Sequence, residues 1–308
     1  MLFSRSTIFK NLACLLIGLL ASVSSLAQQP AQEKTASLVV TVTDSNWRFV
    51  KGLGRERFGV FEKKTPLELT AAGNDERPLS VAVLLDLSSS QASRNRDAAN
   101  WVAHFIKVAN AANEYLLVGF YDSSRILCDW NCSEKDRLEA LSGTPVPRKA
   151  QTALYDAVDS ALKQLESRAN ARRIVVILSD GQDNVSKVTF SQLRRSLERS
   201  DVMLYAIGLF DSSTIAASVV NAEGKGILDE LATVTGGRAF FPPKGELTGL
   251  AEDIAMELRH QYLLTFKVTA SQDREVHKIK VTVTPAVVKP TQKPLRLQLR
   301  YKEHLYAR

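Results

Sequence analysis

Two apolar runs in this chain stop in the same manner, and that shared ending restricts the fold more than any other feature. Val81 to Leu85 is closed by Asp86-Leu87-Ser88-Ser89-Ser90, and Ile174 to Leu178 is closed by Ser179-Asp180-Gly181. Short apolar runs rich in β-branched residues are strands buried on both faces, as in parallel sheets. Their polar tips then emerge at the carboxyl edge, where open α/β sheets bind ligands. Around these runs the period lengthens to that of helices. Ala98, Val102, Phe105 and Ile106 share one face of Asp97 to Val108, and Leu154, Ala157, Val158, Ala161, Leu162 and Leu165 form a stripe after Thr152. Strand and helix alternate from Leu79 to Leu258, which predicts a doubly wound α/β domain with a central, mostly parallel sheet over residues 78–260.

The flanks have a different texture. In residues 36–73, Ser37 to Thr43 and Arg57 to Phe61 alternate, Pro66 to Ala71 reads as a further strand, and Asn46 and Gly52 to Gly54 mark turns. In residues 261–308, Tyr262 to Thr269 and Val276 to Thr284 alternate around Ser271 to Arg274, which predicts a hairpin, and Pro294 to Tyr301 is a third strand. Pieces of two or three strands are marginal alone and leave open edges. The flanks are therefore expected to join in one β-sandwich of about six or seven strands, with the α/β domain inserted between them. Asp211 to Gly226, rich in small residues, is expected as a surface loop, with a helix from Ile227 to Val234.

Residues 1–27 read as a signal peptide: Arg5 and Lys10 supply the positive start, Leu12 to Leu20 the apolar core and Ser25-Leu26-Ala27 the cleavage site. The expected location is secreted or periplasmic, with an uncleaved anchor as the alternative. The formal charge of +7 is spread along the chain, and the pairs Arg172-Arg173 and Arg194-Arg195 read as solvated element ends, so nucleic acid is not an expected partner. Beyond the leader the cysteines are Cys128 and Cys132. In an oxidising compartment this C-x3-C pair reads as a local disulfide, two inert thiols being the alternative.

The polar tips carry the chemistry. Asp86, Ser88 and Ser90 put three oxygens within five residues, Thr152 stands at a helix start, and Asp180 follows the second run. Helix capping explains a serine or a threonine singly. It does not explain a carboxylate and several hydroxyls arriving at one sheet edge. Such a set suits a hard divalent cation, Mg²⁺ first, with oxygens at about 2.0 to 2.1 Å, and Mn²⁺ or Ca²⁺ as alternatives.

From Pro78 to His260 the chain resembles the von Willebrand factor type A family. The resemblance rests on Asp86-Leu87-Ser88-Ser89-Ser90, on Thr152-Ala153-Leu154-Tyr155-Asp156-Ala157 and on Leu178-Ser179-Asp180-Gly181. It implies a metal-ion-dependent adhesion site in which Ser88 and Ser90 bind the ion directly, Thr152 directly or through water, and Asp86 and Asp180 largely through water. Many members have glycine where Ser89 and Gln151 stand. The flanks, through Val40 to Asp44, Arg57 to Glu62 and Leu299 to Tyr301, are similar to the bacterial secreted branch called acidobacterial VWFA-related domain proteins.

The implied function is an extracytoplasmic, metal-dependent protein-binding module that captures an Asp or Glu carboxylate of a partner. Three rivals accompany it. A phosphoryl hydrolase using Asp86 as nucleophile would carry a second acid two residues on, where Ser88 stands. A serine hydrolase would need a G-x-S-x-G elbow, which is absent. The chain is thus not expected to be an enzyme. The third rival is a periplasmic assembly or structural factor whose metal only stabilises the fold.

Overall fold

The computed structural model describes residues 33–143, 149–210, 215–243, 246–269, 276–284 and 296–306. The leader expected at 1–27 and the turn expected at Ser271 to Arg274 lie outside the described residues.

The chain begins with β1 (Glu33–Asp44), followed by β2 (Phe58–Glu62), β3 (Thr65–Leu67) and β4 (Leu69–Asn74). Strand β5 (Leu79–Asp86) opens the central sheet, followed by α1 (Asn95–Val108), β6 (Glu114–Phe120), β7 (Ser124–Cys128), α2 (Glu134–Gly143) and α3 (Leu154–Glu166). Next come β8 (Arg172–Ser179), α4 (Phe190–Arg199), β9 (Val202–Gly208), α5 (Ile215–Thr233), β10 (Arg238–Phe240) and α6 (Thr248–Arg259). The C-terminal strands are β11 (Tyr262–Thr269), β12 (Val276–Val283), β13 (Leu297–Tyr301) and β14 (His304–Tyr306).

The central sheet has the order β10-β9-β8-β5-β6-β7, parallel except for the antiparallel edge strand β7. Its continuous apolar runs are explained by two cores. Val81, Val83 and Leu85 of β5 face α1 and α6 through Trp101, Phe105 and Ile254. Ala82 and Leu84 face α3, α4 and α5 through Leu154, Leu193 and Leu228. A strand covered on both sides cannot alternate with polar residues, hence its uniform texture.

The flanks pair with each other. One antiparallel sheet has the order β13-β1-β11-β4 and the other β14-β12-β2-β3. Between them lies a third core that includes Val40, Val42, Phe58, Leu264 and Val281. Eight described strands, not six or seven, make up this pair of sheets. The expected hairpin does not form, because β11 pairs with β1 and β4 whereas β12 pairs with β2 and β14. The single strand expected from Pro66 to Ala71 divides at Glu68 into β3 and β4, one in each sheet.

Two further expectations are corrected. The stretch 215–226 is the first half of α5 rather than loop, since its alanines favour helix and no proline interrupts it. Arg172 is not a solvated strand end. It is buried, paired with Asp75 at 3.4 Å, and donates to the carbonyls of Asp75, Arg77 and Leu258 at 2.7, 3.0 and 2.8 Å. These bonds tie the amino edge of β8 to the segment by which the chain enters the α/β region. A second tie joins α6 to β13, where buried Glu257 accepts from both Arg300 and Tyr205. Where the chain enters and leaves, Asn74 of β4 is the register partner of Tyr262 of β11, and Asp75 N donates to Gln261 O at 2.9 Å.

Candidate metal centre

Strands β5 and β8 are parallel neighbours in register through Leu85 and Leu178, so their polar tips lie side by side. The Ser179 hydroxyl donates to Asp86 Oδ2 at 2.6 Å, and the Ser88 amide donates to Asp86 Oδ1 at 2.9 Å. One turn on, the Ser90 hydroxyl donates to Asp180 Oδ2 at 2.7 Å and lies 3.1 Å from the Ser88 hydroxyl. A continuous chain of oxygens thus runs from Ser88 through Ser90 to Asp180.

Thr152 is brought to the same edge from both sides. Before it, Ser89 N donates to Ala150 O at 3.2 Å while Ala150 N donates to Ser89 Oγ at 2.7 Å. At Thr152 itself, the amide donates to Asn184 Oδ1 and the carbonyl accepts from Asn184 N, both at 2.9 Å. The threonine is therefore stitched between the serine turn and the turn that follows Asp180. Ser89 uses its side chain for the stitch, and Gln151 N donates to Asp122 at 2.6 Å. Neither residue has positive φ, so neither backbone is strained.

Capping does not consume these groups. Ser88 precedes a short 3-10 turn, Ser89–Gln91, without a side-chain capping bond, and the cap position of α3 is held by Ala153 and not by Thr152.

Burial and mutual proximity set the electrostatics of the two carboxylates. Asp86 is 3% exposed and Asp180 9%. Burial, then the neighbouring Asp180 charge, raise the Asp86 carboxyl to about 6, against the lowering hydrogen bonds from Ser179 and Ser88. Among the described residues no cationic side chain forms an ion pair with either carboxylate. Arg94, buried nearby in sequence, donates instead to the Phe210 carbonyl.

Two carboxylates and three hydroxyls form an all-oxygen donor set that fits a hard cation. Among the described residues no cluster of three or more His, Cys, Asp or Glu side chains could hold a metal.

Sequence reasoning missed the supporting residues. Gln91 donates to Asp180 Oδ2 at 2.7 Å and to Leu209 O at 3.3 Å, bridging the serine turn to the end of β9. Ser179 holds Asp86, and Asn184 holds Thr152. The polar run Gln182-Asp183-Asn184 was the visible trace of the last; a glutamine one residue beyond the serines gave no signal of its own. Cys128 and Cys132 are disulfide-bonded, with Cα atoms 5.9 Å apart.

The sequence profile of the von Willebrand factor type A domain matches residues 81–182, a span that holds all five oxygen-bearing residues. No curated protein matches the sequence. Among solved structures, proximal thread matrix protein 1 from the mussel byssus is similar at TM-score 0.51 and 18% identity, covering 65% of this chain and 51% of that one. The chain thus spans about half the length of that relative. A second structure of the same protein, with a zinc-occupied MIDAS motif, matches at TM-score 0.51 and 18% identity, covering 65% and 50%. BatB from Bacteroides thetaiotaomicron matches at TM-score 0.46 and 15% identity over 58% of this chain and 97% of its own.

Proposed function

We propose that the von Willebrand factor type A domain of this chain is a non-catalytic binding module, in which Asp86, Ser88, Ser90, Thr152 and Asp180 hold a divalent cation that a partner's carboxylate completes. The observation that carries this reading is the pair of buried carboxylates that share one edge with three hydroxyls and, among the described residues, form no ion pair with a protein cation. When bound, the ion supplies a positive charge and a coordination position for an incoming Asp or Glu. Ser179 and Gln91 aim the two aspartates, and Asn184 fixes Thr152.

Mg²⁺ is the first candidate, with Mn²⁺ and Ca²⁺ beside it; the zinc in the byssus protein adds Zn²⁺ to the panel. The histidines support a binding rather than a hydrolytic role. His104 pairs with Glu252, His277 with Glu62, and His260 with the Met256 carbonyl, none of these partners being a residue of the metal edge. The leader-like segment and the disulfide support an extracytoplasmic setting. Among the described residues no helix is long and apolar enough to cross a membrane.

Calorimetry decides the site. Asp86→Ala and Thr152→Ala are each expected to weaken Mg²⁺ or Mn²⁺ binding by on the order of tenfold or more, with circular dichroism nearly unchanged. Unaltered affinity in both variants would remove the assignment.

A further inference from the structure

Helix α5 touches the metal edge through its backbone. A Cβ at Gly224 would stand 2.0 Å from the Asp180 carbonyl oxygen, and one at Gly181 would stand 2.4 Å from the Gly224 carbonyl oxygen. Real Cβ atoms do not approach backbone so closely, so both positions demand glycine. Gly181 needs it twice over, because its φ is +78°. One turn earlier on the same face of α5, the Val220 carbonyl accepts the Gln182 side-chain amide at 2.9 Å. One turn later, the buried Leu228 lies beneath Gly181. The turn Asp180-Gly181-Gln182 is thus seated on three successive steps of a single helix face.

Glycine inside a helix is unfavourable relative to alanine, so its presence calls for a reason. Gly224 has one in the contact with Asp180. Gly226, two residues on, has nothing within 4 Å of where its Cβ would stand.

We infer that Gly224 is a positioning residue for the metal centre: its bare backbone lets α5 seat the Asp180 turn, and through that turn it aims the Asp180 carboxylate. The route is short. Asp180 Oδ1 accepts the Gln182 amide at 3.1 Å, and the Gly181 amide donates to Ser179 Oγ at 3.0 Å, the same hydroxyl that holds Asp86. A displaced turn would therefore disturb both carboxylates. The inference toward the metal rests on the site reading above, whereas the seating of the turn does not.

The experiment compares Gly224→Ala with Gly226→Ala in the full chain, two identical changes on one helix. In the metal-free protein, amide hydrogen exchange is read at Gly181 and Gln182, and Mn²⁺ affinity is measured by titration. Gly224→Ala is expected to speed exchange at both amides and to weaken Mn²⁺ by on the order of ten- to a hundredfold, as loss of outer-shell support does. Gly226→Ala should do neither. In an Asp180→Asn background, Gly224→Ala should cost clearly less Mn²⁺ affinity than in the wild type, only the part that reaches Asp86 through Ser179 remaining, whereas a general loss of stability would cost the same in both. If Gly224→Ala fails to fold, Gln182→Ala cuts the neighbouring tie and should move both readouts in the same direction, less far. Equal behaviour of the two alanine variants, or an unmoved Gln182→Ala, overturns the inference. If the wild type binds no Mn²⁺ while the exchange difference persists, the metal reading falls and the seating of the turn by Gly224 stands.

Discussion

Asp86 shows what single residues contribute. An acid held above its ordinary value favours the folded state while protonated. That contribution is complete below 3.8 and is lost as pH rises through about 6, a difference worth about 3 kcal/mol. The metal-free protein should therefore lose denaturant resistance between about pH 4 and 7, and Asp86→Asn should flatten that loss. Mg²⁺ should restore more stability at pH 7.5 than at pH 5, because at the lower pH it competes with the proton. A slope identical in wild type and Asp86→Asn would show that another group sets it. Asp75 works in the opposite sense. Burial would raise its carboxyl, but the Arg77 hydrogen bonds and the Arg172 charge outweigh that and hold it low, so its contribution fades only in more acid solution. Both aspartates could be singled out by eye only where a sequence neighbour explained them. Asp86 ends an apolar run and was legible. The partners of Arg172 lie 86 to 97 residues away, and so a buried arginine looked like a solvated one.

At the scale of elements, what could be read were the strands and helices whose periodicity is local: β5, β8, α1 and α3 lie where the apolar patterns put them. Pairing was not local and could not be read. Alternation in β11 and β12 identifies strands without saying that they belong to different sheets, and the glycines of α5 looked like loop residues because their reason, a close approach to Asp180, sits in another element. The tie between α6 and β13 is open to test. Arg300→Met leaves Glu257 buried beside Tyr205 without its cation and should cost on the order of 3 kcal/mol or more in chemical denaturation. Adding Glu257→Met should recover most of that loss, since a buried pair exchanged for apolar side chains is often neutral. No recovery in the double variant would mean that Glu257 matters through Tyr205 rather than Arg300. The disulfide is a smaller effect. Its loop is short, so reduction should lower stability by about 2 kcal/mol at most.

For the whole molecule, strand order sets the expectations. Among the described strands both neighbours of β1, namely β11 and β13, come from the C-terminal flank, so residues 28–72 made alone lack both strand neighbours of their longest strand and should be unfolded by circular dichroism. Residues 78–260 made alone keep both faces of the central sheet covered and should fold and bind Mg²⁺, with reduced stability because Arg172 loses Asp75 and Glu257 loses Arg300. A cooperatively folding N-terminal fragment would refute this division of the chain. The paired ends of β4 and β11 also determine how the molecule carries load. Asn74 and Tyr262 lie side by side, so a pull on the metal edge directed along these strands draws both the same way and does not work one against the other. The strain passes to β11 against β1, where eight register pairs from Glu33 and Thr269 to Val40 and Tyr262 are loaded together in shear instead of being peeled one at a time. A grip at the far edge would hang from a seam that resists as a whole and gives way as a whole.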